Sequence, residues 1–353
     1  MNQKATKIAL GALLVSSLGM NAHAQSTKVR VSIPSDEITS FCMTTGMVRH
    51  PEFAQFREKY KLEFEQIKMQ ISQVPTAISN QDIPIGECSG ISTVVNAWNK
   101  GATNLVIFAV GSIAPVYQLI GAPSIKTLQD LKGKKIGTPG LQSASTEAIE
   151  LILKRGANMT PGQDYDLVSA GAGSARIAAL SNGAISAVPT YPPNTYELQQ
   201  QGFSLLADQV KYVPQYVTGV HVVSREWAEK NREVLIRYIK SVVETGRWLE
   251  NPANKSQVVQ WWSKHLLVSG GKPLGDDYAA KLYEFMVQER KLAFNGYAVE
   301  SAVRANIDIL KSRGFLKEEQ VPPLGRVFDF SYLNQALKEL NLPAVAEYSK
   351  VAR

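Results

Sequence analysis

From Val29 to Gln201 short apolar runs alternate with helical stretches, and the connections between them are only a few residues long. Strands are expected at Val29–Ile33, Leu62–Met69, Ile83–Gly86, Leu105–Val110, Val116–Ile120, Lys135–Gly137, Asp166–Ser169 and Ile185–Pro189. Helical segments are expected in the mixed stretch up to Tyr60 and at Val74–Ser79, Ile91–Lys100 and Leu128–Lys132. Others run from Thr146 to Arg155 with Gly156 as the stop, over Ala175–Leu180, and over Pro192–Gln201 ahead of Gly202. Strand–helix alternation of this kind predicts an α/β, doubly wound, parallel sheet. From Ser224 onward the pattern changes to long helices. Ser224 is placed to cap a helix carrying Trp227, Leu235, Ile239 and Val242, and Asn254–Leu266, Tyr278–Gln288 and Val299–Ser312 follow. The chain has no low-complexity tract, internal repeat or long linker, so two closely joined lobes are expected.

The first 24 residues read differently. Lys4 and Lys7 precede an apolar run, Ile8–Leu18, and then Ala22-His23-Ala24. That order is the pattern of a secretory signal peptide, with a buried N-terminal helix as the alternative. The run is shorter than the roughly twenty residues a membrane span needs. No cysteine follows the expected cut, so a soluble exported chain starting near Gln25 is expected. The remaining composition, 44% hydrophobic and 20% charged, is that of a globular protein. The formal charge of +7 falls to +5 once Lys4 and Lys7 are removed, and the basic residues are scattered. A solvated surface explains them better than nucleic-acid binding, while the mild surplus favours anionic ligands.

Several segments in order carry a family resemblance. They are Leu131-Lys132-Gly133-Lys134-Lys135-Ile136-Gly137-Thr138-Pro139-Gly140 with Ser143-Ala144-Ser145-Thr146, and Gly171-Ala172-Gly173-Ser174-Ala175-Arg176 with Ala178-Ala179-Leu180. Thr218–Ser224 follows, then the long helix to Trp248-Leu249 with Asn251-Pro252-Ala253-Asn254. Together they resemble the solute-binding proteins of ABC importers, in the nitrate/sulfonate/taurine branch that includes thiamine-precursor binders. The pattern departs from that branch at Ser186, where an acidic residue is usual, and in the segment Ser35–His50. The resemblance implies a type II-like periplasmic binding protein with a hinge and a ligand cleft between lobes. Lobe 1 would hold residues 26–112 and 218–353 and lobe 2 residues 113–217. It further implies a monomeric receptor in the periplasm, delivering its ligand to a permease of the inner membrane.

In α/β sheets ligands sit at the carboxyl ends of strands. That rule directs attention to Ser35, Asp36, Glu87, Cys88, Ser89, Ser112, Ser143, Ser145, Thr146 and Tyr191, with Tyr216 and Tyr117 as further aromatic walls. The segment Gly140–Thr146 ends a strand and opens a helix, so free backbone N–H groups and hydroxyls there suit a sulfonate or carboxylate. Simple capping by Ser143 or Ser145 is the alternative. Asp36 and Glu87 keep open an amine-bearing ligand or a pyrimidine-like heterocycle. The tyrosines serve equally well as packing.

Enzyme readings are weaker. Ser269-Gly270-Gly271-Lys272 matches S-x-x-K, the basis of a periplasmic serine hydrolase reading, but its glycines and Pro273 oppose the required helix. His50, His221 and His265 show no metal-ligand spacing, and Gly171-x-Gly173 lacks its third glycine at Arg176. No metal or cofactor is expected.

Cys42 and Cys88 are the two cysteines. In the lobe implied by the resemblance their loops are neighbours, and export favours pairing, with two separate buried thiols as the alternative. A bridge would close a loop of about 45 residues and contribute roughly 3–4 kcal/mol in the chain-entropy model. Peptide mapping of the oxidised protein without reductant should recover a Cys42–Cys88 peptide pair. Full alkylation of both thiols would contradict it.

Overall fold

A computed structural model describes residues 26–33, 43–69, 71–140, 143–171, 173–267, 272–290 and 295–348. The leader, Ser35, Asp36, Cys42 and Ser269 lie outside the described residues, as does the side chain of Cys88.

Ten strands divide between two five-stranded sheets. The first holds β1 (Thr27–Ile33), β2 (Leu62–Lys68), β3 (Ile85–Ser89), β4 (Leu105–Ser112) and β10 (Gly219–Ser224), in the order β2-β1-β3-β10-β4. The second holds β5 (Gln118–Gly121), β6 (Lys135–Thr138), β7 (Asp166–Ser169), β8 (Ala187–Thr190) and β9 (Ser204–Asp208), in the order β7-β6-β8-β5-β9. Neither sheet is wholly parallel. β10 runs antiparallel to β3 and β4, and β5 runs antiparallel to β8 and β9. Both reversed strands follow the points where the chain leaves one sheet for the other, so no helical crossover forces them parallel. The expected parallel pairing holds where helices intervene, as in β1/β2, β1/β3, β6/β7 and β6/β8. The strands at the centre are buried: all six residues of β10 are, as are all but Gly111 of β4. Each buried Val, Leu or Ile of this kind stabilises by about 1.5–3 kcal/mol.

Among the described residues fourteen α-helices surround the sheets. Through the first crossing they are α1 (Met43–Arg49), α2 (Ala54–Glu58), α3 (Val74–Ser79) and α4 (Ile91–Asn99). The second sheet carries α5 (Ala144–Ala157), α6 (Gly173–Ser181) and α7 (Asn194–Gln200). The C-terminal series is α8 (Arg225–Lys230), α9 (Arg232–Glu250), α10 (Lys255–His265), α11 (Asp276–Tyr283), α12 (Glu300–Ser312), α13 (Leu324–Val327) and α14 (Ser331–Glu339). Ser224 caps α8 by accepting the Trp227 amide, as expected, but the helix breaks at Asn231 before α9 resumes. α9 presents Leu235, Ile236, Ile239 and Val243 at helical spacing to the first sheet's core. A second core joins Met47 and Phe53 to Ala114, Val116, Tyr117 and Ala148 through Trp261, Trp262 and Leu282. Helices α10 and α11 thus pack against residues from both sheets' surroundings. Among the described residues no helix is long and apolar enough to cross a membrane.

Two polypeptide crossings lie side by side where the chain passes between sheets. The Thr218 amide donates to the Ser112 carbonyl at 3.0 Å. Asn306 of α12 clamps the second crossing, accepting the Val217 amide and donating to the Val217 carbonyl, each at 3.0 Å.

The expected stop of α5 is one turn detail off. The helix continues to Ala157 and ends on Asn158 in the left-handed region, φ 52°. Gly156 lies inside it because a Cβ there would come within 2.6 Å of Leu128 Cδ1 and 2.7 Å of Tyr212 Cε1. Replacing an ordinary helical glycine by alanine stabilises by roughly 1 kcal/mol. Gly156→Ala should instead lower the urea midpoint, since the Tyr212 ring has to move; a gain in stability would contradict this packing.

Candidate functional site

The site is built up from the start of α5. Strand β6 ends at Thr138, the backbone turns at Gly140, and Ser143 takes the N-cap position with φ −100° and ψ 150°. Its Oγ accepts the Thr146 amide at 3.2 Å and lies 3.1 Å from Ser145 Oγ and 2.8 Å from Thr146 Oγ1. Thr146 Oγ1 in turn donates to the Gly140 carbonyl at 2.7 Å. The three hydroxyls therefore tie the turn together, as the capping alternative requires. They leave the amides of Ala144 and Ser145 as the first-turn donors without a partner among the described residues. A 14-residue helix points its positive end there.

Behind this turn sits Glu147, only 1% exposed. Its Oε2 accepts the Tyr216 hydroxyl at 2.8 Å, Arg313 Nη1 stands 3.5 Å from Oε1, and Ser92 of α4 also hydrogen-bonds to it. Burial raises the Glu147 pKa, and the donors and Arg313 oppose that shift. Arg313 also grips Glu150 with Nε and Nη2 at 2.6 and 2.8 Å. The sequence reading placed Tyr216 in the cleft as a wall; its ring is fully buried and its hydroxyl belongs to Glu147.

Tyr191 follows β8, half-buried, and meets Tyr117 edge to face with ring centroids 6.0 Å apart. Arg176, in the first turns of α6, is the charged group that acts on both phenols. Sequence reasoning registered Arg176 only as the residue that breaks a glycine pattern; its proximity to two tyrosines separated from it in sequence left no local signal.

The candidates on the first sheet sit differently. Glu87 is buried at the end of β3, where Arg49 of α1 pairs with one carboxylate oxygen and the Tyr238 hydroxyl donates to the other at 2.7 Å. The Glu87 amide is held by Ser32 Oγ at 3.0 Å. Burial lowers the Arg49 pKa to about 10, and burial with the Arg49 charge lowers His221 to about 4. Ser89 is buried with its hydroxyl unpartnered, and Ser112 Oγ accepts the Ala114 amide at 3.4 Å. The structure thus groups Ser143, Ser145 and Thr146, sets Tyr191 with Tyr117 and Arg176, and holds Glu87 in an ion pair within the first sheet's core. Among the described residues no three His, Cys, Asp or Glu side chains converge as metal ligands do.

Two sheets of mixed pairing with helix starts at their carboxyl ends define the periplasmic-binding-protein fold, and solved structures agree. The periplasmic nitrate-binding protein NrtA from Synechocystis PCC 6803 is 12% identical over 90% of both chains, with a TM-score of 0.70. A putative periplasmic sulfonate-binding protein SsuA from Methylobacillus flagellatus is 14% identical, covering 92% of this chain and 98% of that one, with a TM-score of 0.65. The alkanesulfonate-binding protein SsuA from Xanthomonas axonopodis pv. citri, bound to MOPS, is 15% identical over 83% and 96%, with a TM-score of 0.61. The family model "NMT1/THI5 like" matches residues 70–252, just over half of the sequence, and the chain belongs to that family. No curated protein gives a significant match.

His221 supplies a test of the buried cluster. The folded imidazole stays neutral down to about pH 4, while an unfolded one takes a proton near 6.5. The unfolded state therefore binds the extra proton in that window, and stability falls as pH drops through it, by about 3 kcal/mol in full. In urea titrations at about pH 7 and about pH 4.5, His221→Gln should lose distinctly less stability between the two than the parent. Equal losses would contradict the burial of a neutral His221.

Proposed function

We propose that this chain is the solute-binding receptor of an ABC importer, exported to the periplasm, and that it carries a small organic anion to the permease. Residues 26–112 and 218–353 form one lobe, residues 113–217 the other, and the paired crossings at Ser112 and Thr218 serve as the hinge. The protein acts as a monomer without metal or cofactor, and no catalytic step is assigned to it.

One observation carries this reading. At the start of α5, a ring of neutral hydroxyls fixes the turn while the Ala144 and Ser145 amides stay open among the described residues, none of which brings a carboxylate to that ring. Such a site favours negative charge and needs no proton transfer. The matched family and the nitrate- and sulfonate-binding names of structural neighbours support an anion of the sulfonate or carboxylate type. The heterocycle reading leaned on Asp36, Glu87 and aromatic stacking; Asp36 lies outside the described residues and the Glu87 oxygens are held by Arg49 and Tyr238, so the anion reading is preferred.

Selective binding to a closed form stabilises by about 2.7 kcal/mol at a hundredfold excess over Kd. Solution scattering with a saturating alkyl or aryl sulfonate, or an aryl carboxylate, should show contraction, together with a raised Tm. Ser145→Asp should keep the helix by circular dichroism and weaken binding at least about tenfold, about 1.4 kcal/mol, because it puts a carboxylate beside the open amides. Unchanged radius with bound ligand, or unchanged affinity in the folded variant, would contradict the proposal.

A further inference from the structure

Arg176 has no carboxylate partner among the described residues. Its Nη1 donates to the Gly171 carbonyl at 2.7 Å, which fixes the plane of the guanidinium. Its Nε is buried with no acceptor, and Nη2 has none among the described residues. The Nε atoms of Arg49 and Arg290 are likewise buried without an acceptor, but Arg49 holds Glu87 and Arg290 holds Asp208 at 2.6 Å, while Arg313 holds Glu150. Arg237, which lacks a carboxylate, reaches two carbonyls and a hydroxyl instead. Arg176 has its one carbonyl. Arg176 is half-buried, and its buried Nε leaves unmade a hydrogen bond that a bound acceptor would supply.

What surrounds the open edge specifies the absent group. The ionisable side chains acting on Arg176 are Tyr191 and Tyr117, both phenols, and Arg176 takes part in no ion pair with a described residue. Tyr117 is 7% exposed and its hydroxyl has no hydrogen-bond partner among the described residues, so it can donate to an oxyanion. The two rings, edge to face at 6.0 Å, form an apolar corner suited to a flat body. The Nε–Nη2 edge presents two parallel N–H donors, the arrangement that matches two oxygens of a carboxylate or sulfonate. Tyr117, Tyr191 and Ala144 belong to one apolar cluster.

We infer that Arg176 is the ligand's counter-ion, gripping its oxyanion through the Nε–Nη2 edge, and that the solute is an aryl carboxylate or aryl sulfonate whose ring lies against Tyr117 and Tyr191. This rests on the receptor reading above and narrows its ligand class from organic anions to aromatic ones.

The test uses isothermal titration of the full mature chain with benzoate, 4-hydroxybenzoate, benzenesulfonate, neutral benzamide and methanesulfonate. Wild type should bind at least one of the three aryl anions, at least tenfold tighter than benzamide or methanesulfonate. Arg176→Gln should weaken that anion at least thirtyfold while leaving benzamide within threefold. Arg176→Lys, which keeps the charge and a donor for Gly171 but not the fork, should recover only part of the loss. Tyr117→Phe should weaken the aryl anion severalfold. Folded Arg176→Gln protein that binds the aryl anion within twofold of wild type would overturn the assignment and leave the receptor reading standing. Contraction in scattering with methanesulfonate, but no binding of any aryl anion, would do the same. Failure of every anion to bind or to contract the wild type would overturn both. Recovery of the full affinity by Arg176→Lys would remove the bidentate grip.

Discussion

The arrangement around Glu147 is the constraint from which the rest of the molecule can be understood. This carboxylate belongs to α5 on the second sheet, yet its partners are Ser92 at the start of α4, Tyr216 in the second crossing, and Arg313 just past α12. Taking a carboxylate and a guanidinium out of water costs several kcal/mol each, so the cluster is tolerable only when every member is in place. Glu150 holds Arg313 in place by accepting both Nε and Nη2, while its own charge, like burial, raises the Glu147 pKa. The positive end of α5 adds to the stabilisation of the buried acid. One cluster thus sets where the second sheet's principal helix starts relative to the first sheet.

Fixing the start of α5 has a functional consequence. The Ser143–Ser145–Thr146 ring defines which amides remain open, and Glu147, four residues after the cap, prevents the helix from sliding or rotating to close them. On the first sheet a parallel logic holds β3: Glu87 is bound by Arg49 from α1 and Tyr238 from α9, with His221 neutral beside them. Charges in the interior of this protein act mainly to lock elements together. Arg176, whose charge acts on Tyr191 and Tyr117, holds no described carboxylate.

Sequence alone revealed most strands, because runs such as Leu105–Val110 in β4 and Ala187–Pro189 in β8 are apolar and stand between clear turn signals. It also revealed the Ser143 and Ser224 caps, whose signals are local. Strand direction was not legible where the chain changes sheets, since pairing of β5 with β8 and β9 depends on contacts across 70 to 90 residues. The stop at Gly156 was misread because a glycine needed for close approach of Tyr212 looks identical to a helix terminator. The partners of Glu87 and Glu147 were hidden for the same reason: Arg49, Tyr238, Tyr216 and Arg313 are distant in sequence and reach them only through the fold. What was readable in the candidate site was the hydroxyl-rich helix start, and what was not was Arg176.

The central claim is that the open first turn of α5 seats the anion. Amide hydrogen exchange at Ala144 and Ser145, resolved by NMR with and without saturating benzenesulfonate, addresses it most directly. Slower exchange at both amides on binding, with the already bonded Thr146 amide changing less, is the predicted result. Bound ligand with exchange at Ala144 and Ser145 unaltered would contradict it and place the anion elsewhere.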